Sequence, residues 1–574
     1  MNSVNKCTRT SLILLNQEIT KLNLQIFSHT IKYYLTMNQY CQSFKRLNLK
    51  EIKLEAVPQL LKSKKKQQRA KNGGIRLTNK LQKMSTSAIS YSKIYSSEDS
   101  NEAVSKNSWL FALKIMHGAF TCFTIAYNMG VFNTLFGHVE YIYNWNEDQK
   151  LLNYSLVNSI PQAFAAFVSL FAGRLSAKFG RRKMLMFSFY LAILGNGITL
   201  IADTFALQFG RAVIGICFGF WCSIGPLYSI ELACKKFKGA SGITYSLFFG
   251  FGILLSFLLG YGLPSDPQKS ATNGYWRLML GLPIAFSVLS NALFHLVFTD
   301  ETANYIYLEE KNPEKCKKAL ERIFVKKIAE EEFNDIVEFS KQGNTINVGY
   351  KQLFGKQYIG RALFIMLFTI AFSYVGCNAI NIYSFQIIKD SEGADTAQLF
   401  TTLMPIGDLI GPIFAYLTIE KIGRKNLYIN GLLGCTLVLF VFCITGWADF
   451  KPLQKYMILL YKLVFASSVA PVHWVYPGEI LPPVGMGFFA FCYWASSLST
   501  VEFLPYMIES NDAESTIIVF VAVSAVLIVY LVFAMKETTG KGRELIEKMF
   551  YSGQEQVKIP HQIESTNYNQ PIND

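Results

Sequence analysis

Apolar stretches of roughly twenty residues recur along this chain from Trp109 to Met535, each long enough to cross a hydrocarbon layer of about 30 Å. Twelve can be delimited: 110–134, 153–173, 184–202, 205–228, 240–262, 277–298, 360–388, 397–419, 426–446, 456–476, 485–508 and 515–535. Backbone in lipid has no water to bond, so these runs must be helices. The expected fold class is an all-α polytopic membrane protein with twelve transmembrane helices. Composition agrees, with 51% hydrophobic and 14% aromatic residues among 574 and a mean hydropathy of +0.24.

A net charge of +15 raises the question of nucleic acid. However, residues 1–107 hold 19 Lys/Arg against 6 Asp/Glu, which leaves the apolar body nearly neutral and excludes a nucleic-acid surface there. Within that tail, Lys62, Lys64, Lys65, Lys66, Arg69 and Lys71 read either as a solvated face or as a site for anionic lipid headgroups. Met37 and Met84 offer alternative starts, and no stretch in the tail matches a secretory signal. Seven cysteines fall inside apolar runs without CxxC spacing and read as core residues.

The loops alternate in charge. Gly173–Lys183 carries five positive charges, and Lys235, Lys236 and Lys238, then Lys421, Arg424 and Lys425, then Lys536, Lys541 and Arg543 lie on the same side. Asn144–Asp148, Ala202–Thr204, Ser391–Asp395 and Glu509–Asp512 lie on the other. Lys and Arg accumulate in cytoplasmic loops, so both termini are expected in the cytoplasm. The host is expected to be the plasma membrane, with an organelle membrane as the alternative.

The one long loop, Thr299 to Tyr358, divides the spans six and six. Expected divisions are a cytoplasmic tail (1–108), a first six-helix bundle (109–298), a linker with short helices (299–359), a second bundle (360–536) and a short tail (537–574). In the linker, Asn312-Pro313-Glu314 predicts a helix start, followed by an apolar stripe at Cys316, Ala319, Leu320, Ile323 and Phe324.

The two halves echo one another. Lys178-Phe179-Gly180-Arg181-Arg182 returns as Lys421-Ile422-Gly423-Arg424-Lys425, and Tyr228-Ser229-Ile230-Glu231 returns as Tyr476-Pro477-Gly478-Glu479. Asp300-Glu301-Thr302 is echoed by Lys536-Glu537-Thr538. Ordered matches of this kind indicate a duplicated transporter with two pseudo-symmetric bundles. The basic residues either set topology alone or form a breakable clasp with Glu231, Glu301, Glu420, Glu479 and Glu537, acids that the topology rule does not require.

Taken together, Gly173–Lys183, Gly210-Arg211 through Pro226–Glu231, Asp300–Thr302, Glu420–Lys425, Pro477–Glu479 and Glu537–Gly540 resemble the sugar porter branch of the major facilitator superfamily, over roughly Trp109 to Leu545. Tyr127–Val131 resembles facilitative glucose carriers in particular. The resemblance implies alternating access without a cofactor, a sugar or polyol as partner, and a gating network of Arg181, Arg182, Glu231, Lys238, Glu301, Glu420, Arg424, Glu479 and Glu537. By matching position it also implies substrate contacts at Asn378, Trp474 and Trp494, with Ser246 and Asn128 at family site positions. The alternative for each Trp is a packing or interfacial aromatic, although Trp494 lies well inside its span.

Coupling turns on Asn128, where proton-driven members carry Asp beside the arginine matching Arg211. Asn cannot titrate, so the resemblance favours facilitated diffusion. Asp408 complicates this, because a carboxylate inside a span is costly and by default functional. It reads as a sugar ligand, as a relocated proton site or as a satisfied structural residue. The chain departs from the family pattern at Ser246, Phe372-Ser373 and Ala466, where longer polar side chains are usual, and at Ala177, Asn304 and Met486 around the clasp. The competing functions are a facilitative hexose carrier, a proton-coupled symporter using Asp408, and a transporter-like sugar sensor. An enzyme is not expected, because the six histidines are scattered and no HExxH, GxSxG or P-loop spacing occurs.

Overall fold

The computed structural model describes residues 105–550 apart from 106, 136, 235–237, 265, 342–348, 357, 482, 511–512, 540, 542–545 and 547–548. The basic tail segment Lys62–Lys71 lies outside the described residues, as do Lys235, Lys236, Arg543 and the side chain of Lys238.

Among the described residues the fold is helical throughout, with one isolated bridge and no strand. Six long helices precede the linker: α1 (Ser108–Thr134), α2 (Glu147–Phe179), α3 (Arg181–Thr199), α4 (Thr204–Leu232), α5 (Lys238–Gly260) and α6 (Tyr275–Leu296). After it come α7a (Ile359–Tyr374), α7b (Cys377–Glu392), α8 (Ala394–Ile422), α9 (Arg424–Trp447), α10 (Lys451–Ile480), α11 (Pro483–Ser510) and α12 (Ala513–Ala534). Ten of these helices are long and apolar enough to cross a membrane. α3 differs because its first turn is Arg181-Arg182-Lys183. The seventh span, expected to be one helix over 360–388, is instead broken: Gly376 sits at φ +98, a region that L side chains rarely adopt, and its amide bonds back to Ser373.

Local chemistry sets the boundaries. Asp203 caps α4 by accepting from the Ala206 N–H at 2.9 Å. Gly180 and Gly423, at φ +99 and +89, make the same sharp turn between α2 and α3 and between α8 and α9. Pro161, Pro405 and Pro412 sit within α2 and α8, where neighbouring helices can satisfy the freed carbonyls. Large apolar side chains face outward, with Phe533 at 83% and Leu296 at 81% exposed, as lipid contact requires.

The described residues fall into two compact units, 115–316 with 335–550 and 105–114 with 317–334. In the smaller unit, Ser105 bridges Phe324, and Phe111 meets Phe324 edge-to-face at 5.5 Å. The linker helix Pro313–Ile323 is capped by Asn312, whose Oδ1 accepts from the Lys315 N–H at 2.9 Å.

Within the larger unit the two halves meet along two seams. α2 lies against α11, from Ser155, which donates to the Glu502 carbonyl at 3.5 Å, to Ser169, whose carbonyl faces Gly487. α5 lies against α8 so closely that a Cβ on Gly250 would fall 2.9 Å from the Asp408 carbonyl oxygen. Between these seams, side chains of α2, α4, α5, α7b, α10 and α11 meet.

Candidate functional site

The repeated loops fold into two similar clasps, each contained in its own half. In the first, Arg181 donates to Glu231 at 3.1 Å, and the Thr302 hydroxyl donates to the other Glu231 oxygen at 2.6 Å. Glu301 accepts from the backbone N–H groups of Arg182 and Lys183, both at 3.1 Å, at the start of α3. Arg182 directs its guanidinium to the carbonyls of Phe298 (2.6 Å) and Phe294 (2.7 Å) and not to a carboxylate. In the second clasp, Arg424 pairs with Glu479 at 3.4 Å and with exposed Glu420 at 2.8 Å, and Thr538 donates to Glu479 at 2.6 Å. Glu537 accepts from the backbone N–H groups of Arg424 (2.9 Å) and Lys425 (3.0 Å) at the start of α9.

Electrostatics separates these two otherwise matching carboxylates. Burial pushes Glu301 above the usual carboxylate range, although the N–H groups of Arg182, Lys183 and Thr302 and the charge of Arg181 pull against it. Burial acts on Glu537 too, but the Thr539 hydroxyl and the N–H groups of Thr539, Arg424 and Lys425 together outweigh it and hold the carboxyl below that range.

Near the middle of the first half, Asn128 donates to its own helix at the Thr124 carbonyl, 3.0 Å. Buried Arg211 donates to the carbonyls of Val157 (2.9 Å) and Asn128 (3.1 Å) and lies over the Phe132 ring. The cation is thus held by carbonyls and a ring face instead of an acid.

The centre is a polar thread through an aromatic box. Asn378 donates to Ser497 at 2.7 Å, and Ser497 donates to Gln162 of α2 at 2.6 Å, which links α7b, α11 and the opposite half. Half-buried Trp474 faces Tyr245, Phe489 and Tyr493, with centroids at 5.7, 5.6 and 5.3 Å. Buried Trp494 stacks on Phe218 of α4 at 5.7 Å. The Ser246 hydroxyl and both ring nitrogens of His473 have no hydrogen-bond partner among the described residues. His473 stacks on Phe372 at 3.7 Å. Such a constellation offers donors, acceptors and flat aromatic faces, the equipment for a small polyhydroxylated ligand.

Asp408 forms a buried ion pair with Lys462 of α10 at 2.7 Å, and Lys462 also donates to Asn381 of α7b at 2.9 Å. Lys462 is 1% exposed.

The model of the sugar (and other) transporter family matches residues 114–550, most of the chain. The chain belongs to the sugar transporter family. Among curated relatives of this sugar transporter family member, the glucose transporter GlcP of Staphylococcus epidermidis is 25% identical over 75% of this chain and 95% of its own length. The arabinose-proton symporter of Bacillus subtilis is 27% identical over 66% of this chain and 82% of its own length. Among solved structures, the proton:xylose symporter XylE of the major facilitator superfamily, from E. coli, shares the fold with a TM-score of 0.68 at 20% identity, over 77% of this chain and all of that one.

Of the residues singled out in the sequence, the transporter fold gathers Asn378, Trp474 and Trp494 around one centre with Ser246 and Asp408 close by. Asn128 belongs to a separate cluster with Arg211. Sequence reasoning missed Lys462, although a lysine inside an apolar run is itself a signal because an unpaired charge there is expensive. Gln162, Ser497, Tyr245 and His473 carried no signal beyond their residue type, since their partners lie on other helices.

Proposed function

We propose that this member of the sugar transporter family carries a hexose-like sugar or a polyol across a membrane by alternating access, downhill and without a coupling ion. The carrying observation is the cross-half thread Asn378–Ser497–Gln162 beside Trp474: a ligand bridging α7b, α11 and α2 touches both halves and so senses their relative position. Asn128 supports the downhill reading, because an amide cannot exchange a proton next to Arg211.

The moving parts are the bundles 109–298 and 360–536, joined by the linker 299–359. The two clasps hold the side that carries the basic loops. That side faces the cytoplasm together with both tails, and the plasma membrane is the host. The run Lys62–Lys71 fits anionic lipid headgroups by charge. Asn378, Trp474, Trp494, Ser246 and Asp408 are the residues that meet substrate.

A second reading, proton-coupled symport through Asp408, is supported by the ion pair with Lys462. Uptake of a labelled panel of hexoses, pentoses and polyols into proteoliposomes, with and without an imposed pH gradient, tests both. Saturable uptake that only equilibrates supports the downhill reading, and accumulation above equilibrium on acidifying one side replaces it with symport. No uptake of any member sinks both.

A further inference from the structure

The groups around Asp408 form a chain that runs on from its Oδ2 atom, beyond the sugar contacts. Lys462 Nζ lies between Asp408 Oδ2 (2.7 Å) and Asn381 Oδ1 (2.9 Å). The backbone carbonyl of Asn381 in turn accepts from Asn133 Nδ2 at 2.5 Å, and Ser384, nearly one turn further along α7b, lies 3.3 Å from the same nitrogen. Asn133 belongs to α1, so a charge pair in the second half is wired through α7b to the first.

Two irregularities flank this wiring. Gly376 separates α7a from α7b at φ +98, and α10 carries a π turn at Phe465–Val469, three residues beyond Lys462. Breaks and π turns are where a helix can change direction without losing its remaining hydrogen bonds. α7b therefore has a hinge at one end and the Lys462 and Asn133 contacts just beyond it.

Among the described residues the surroundings of the carboxylate are otherwise uncharged. Cys377 of α7b and Tyr461 of α10 are within electrostatic reach of Asp408, Cys435 of α9 is within reach of Lys462, and α5 presents the Gly250 backbone. Thiols and phenols ordinarily stay neutral near pH 7. The other charged groups near α7b stand at its far end, where Lys389 faces His138 and Glu392 pairs with Lys455.

We infer that Asp408 is a proton-binding site that works a latch on α7b. With the carboxylate charged, Lys462 is neutralised and holds Asn381, and α7b stays seated on Asn133. When a proton from bulk water adds to a carboxylate oxygen, one O–H bond forms, and Lys462 becomes a buried ammonium without a counter-charge. That state is costly, and admitting water by lifting α7b from α1 relieves it. Protons thus open the path on the side opposite the clasps. The inference rests on the transporter reading above but not on which sugar is carried.

The test uses full-length protein carrying Ser384→Cys, because Ser384 is fully buried against Asn133 and reacts only when α7b lifts. Labelling by a water-soluble thiol reagent is followed from about pH 8 to about pH 5, with rates normalised to a free peptide thiol at each pH and the unsubstituted chain subtracted. The normalised rate is expected to rise about tenfold on acidification. Asp408→Asn, already neutral, should label fast at every pH, while His138→Gln and Glu392→Gln should keep the response. A flat profile with Asp408 intact overturns the latch whether or not Asp408→Asn folds. A response abolished by His138→Gln or Glu392→Gln overturns it as well. Failure of the transporter reading would show separately, as absence of sugar exchange by the same preparation.

Discussion

In the first half of the molecule Arg181 meets Glu231 at 3.1 Å and Glu301 caps α3; in the second, Arg424 meets Glu479 at 3.4 Å and Glu537 caps α9. Thr302 and Thr538 close the two clasps at the same 2.6 Å. Within the membrane the halves part company. The first keeps a buried cation, Arg211, on carbonyls and a phenyl face, and the second keeps a paired anion and cation, Asp408 and Lys462. Duplication has preserved the machinery at the helix ends, while the charges at the centre have diverged. Each half carries its own clasp, whereas among the described residues the buried Asp408–Lys462 pair has no counterpart beside Arg211.

The ion pair offers the hardest way to break that comparison. Asp408→Ala leaves Lys462 buried and unpaired and should cost about 3–5 kcal/mol of stability. The double change Asp408→Asn with Lys462→Met should recover much of that loss in a thermal-shift assay. If the single and double variants are equally damaged, the pair is not a unit.

The clasps come next. Arg181→Ala strips Glu231 of its ion-pair partner, and Arg424→Ala removes the partner of Glu479 together with that of exposed Glu420, which contributes little. Each should cost about 1–3 kcal/mol and raise accessibility at the clasp side, read by limited proteolysis of the linker. A large loss from one and none from the other would end the symmetry.

pH sharpens the contrast between Glu301 and Glu537. Glu301, held above the usual range, binds more protons folded than unfolded, so its charged form detracts from stability near neutrality and that penalty fades as pH falls. Glu537, held below the range, contributes stability that is present above its ordinary value and is lost as pH falls through its folded value. Glu537→Gln should therefore destabilise at pH 7 by about 1–2 kcal/mol, and Glu301→Gln by less. The second clasp should also loosen before the first in an acid titration, read by hydrogen exchange at the Arg424 and Lys425 amides against the Arg182 and Lys183 amides. Equal responses would erase the difference.

Much of the fold was legible because its causes are local. Span length and the Asn312 cap each act locally, as does the Gly-Arg motif repeated at 180 and 423. The break at Gly376 was not legible, since the apolar run continues through Tyr374-Val375-Gly376-Cys377 and the composition gives no reason to stop there. In the site, Asp408 stood out as a charge in an apolar run. Its partner Lys462 lies 54 positions away on another helix, so only folding joins them. Glu301 and Glu537 were visible as acids near arginines. That they bind backbone N–H groups of a helix start depends on a glycine turn whose geometry no residue spacing encodes.

The central claim is that both halves close on one small polyhydroxylated ligand. The most direct measurement is equilibrium exchange of labelled sugar by purified protein in liposomes, with equal sugar on both sides, for the unmodified chain and for Asn378→Ala and Trp474→Ala. The account predicts saturable exchange that falls at least about tenfold in each variant, the loss of roughly one good contact, with thermal stability kept. Non-saturating leakage, or exchange unchanged in both variants, would contradict it.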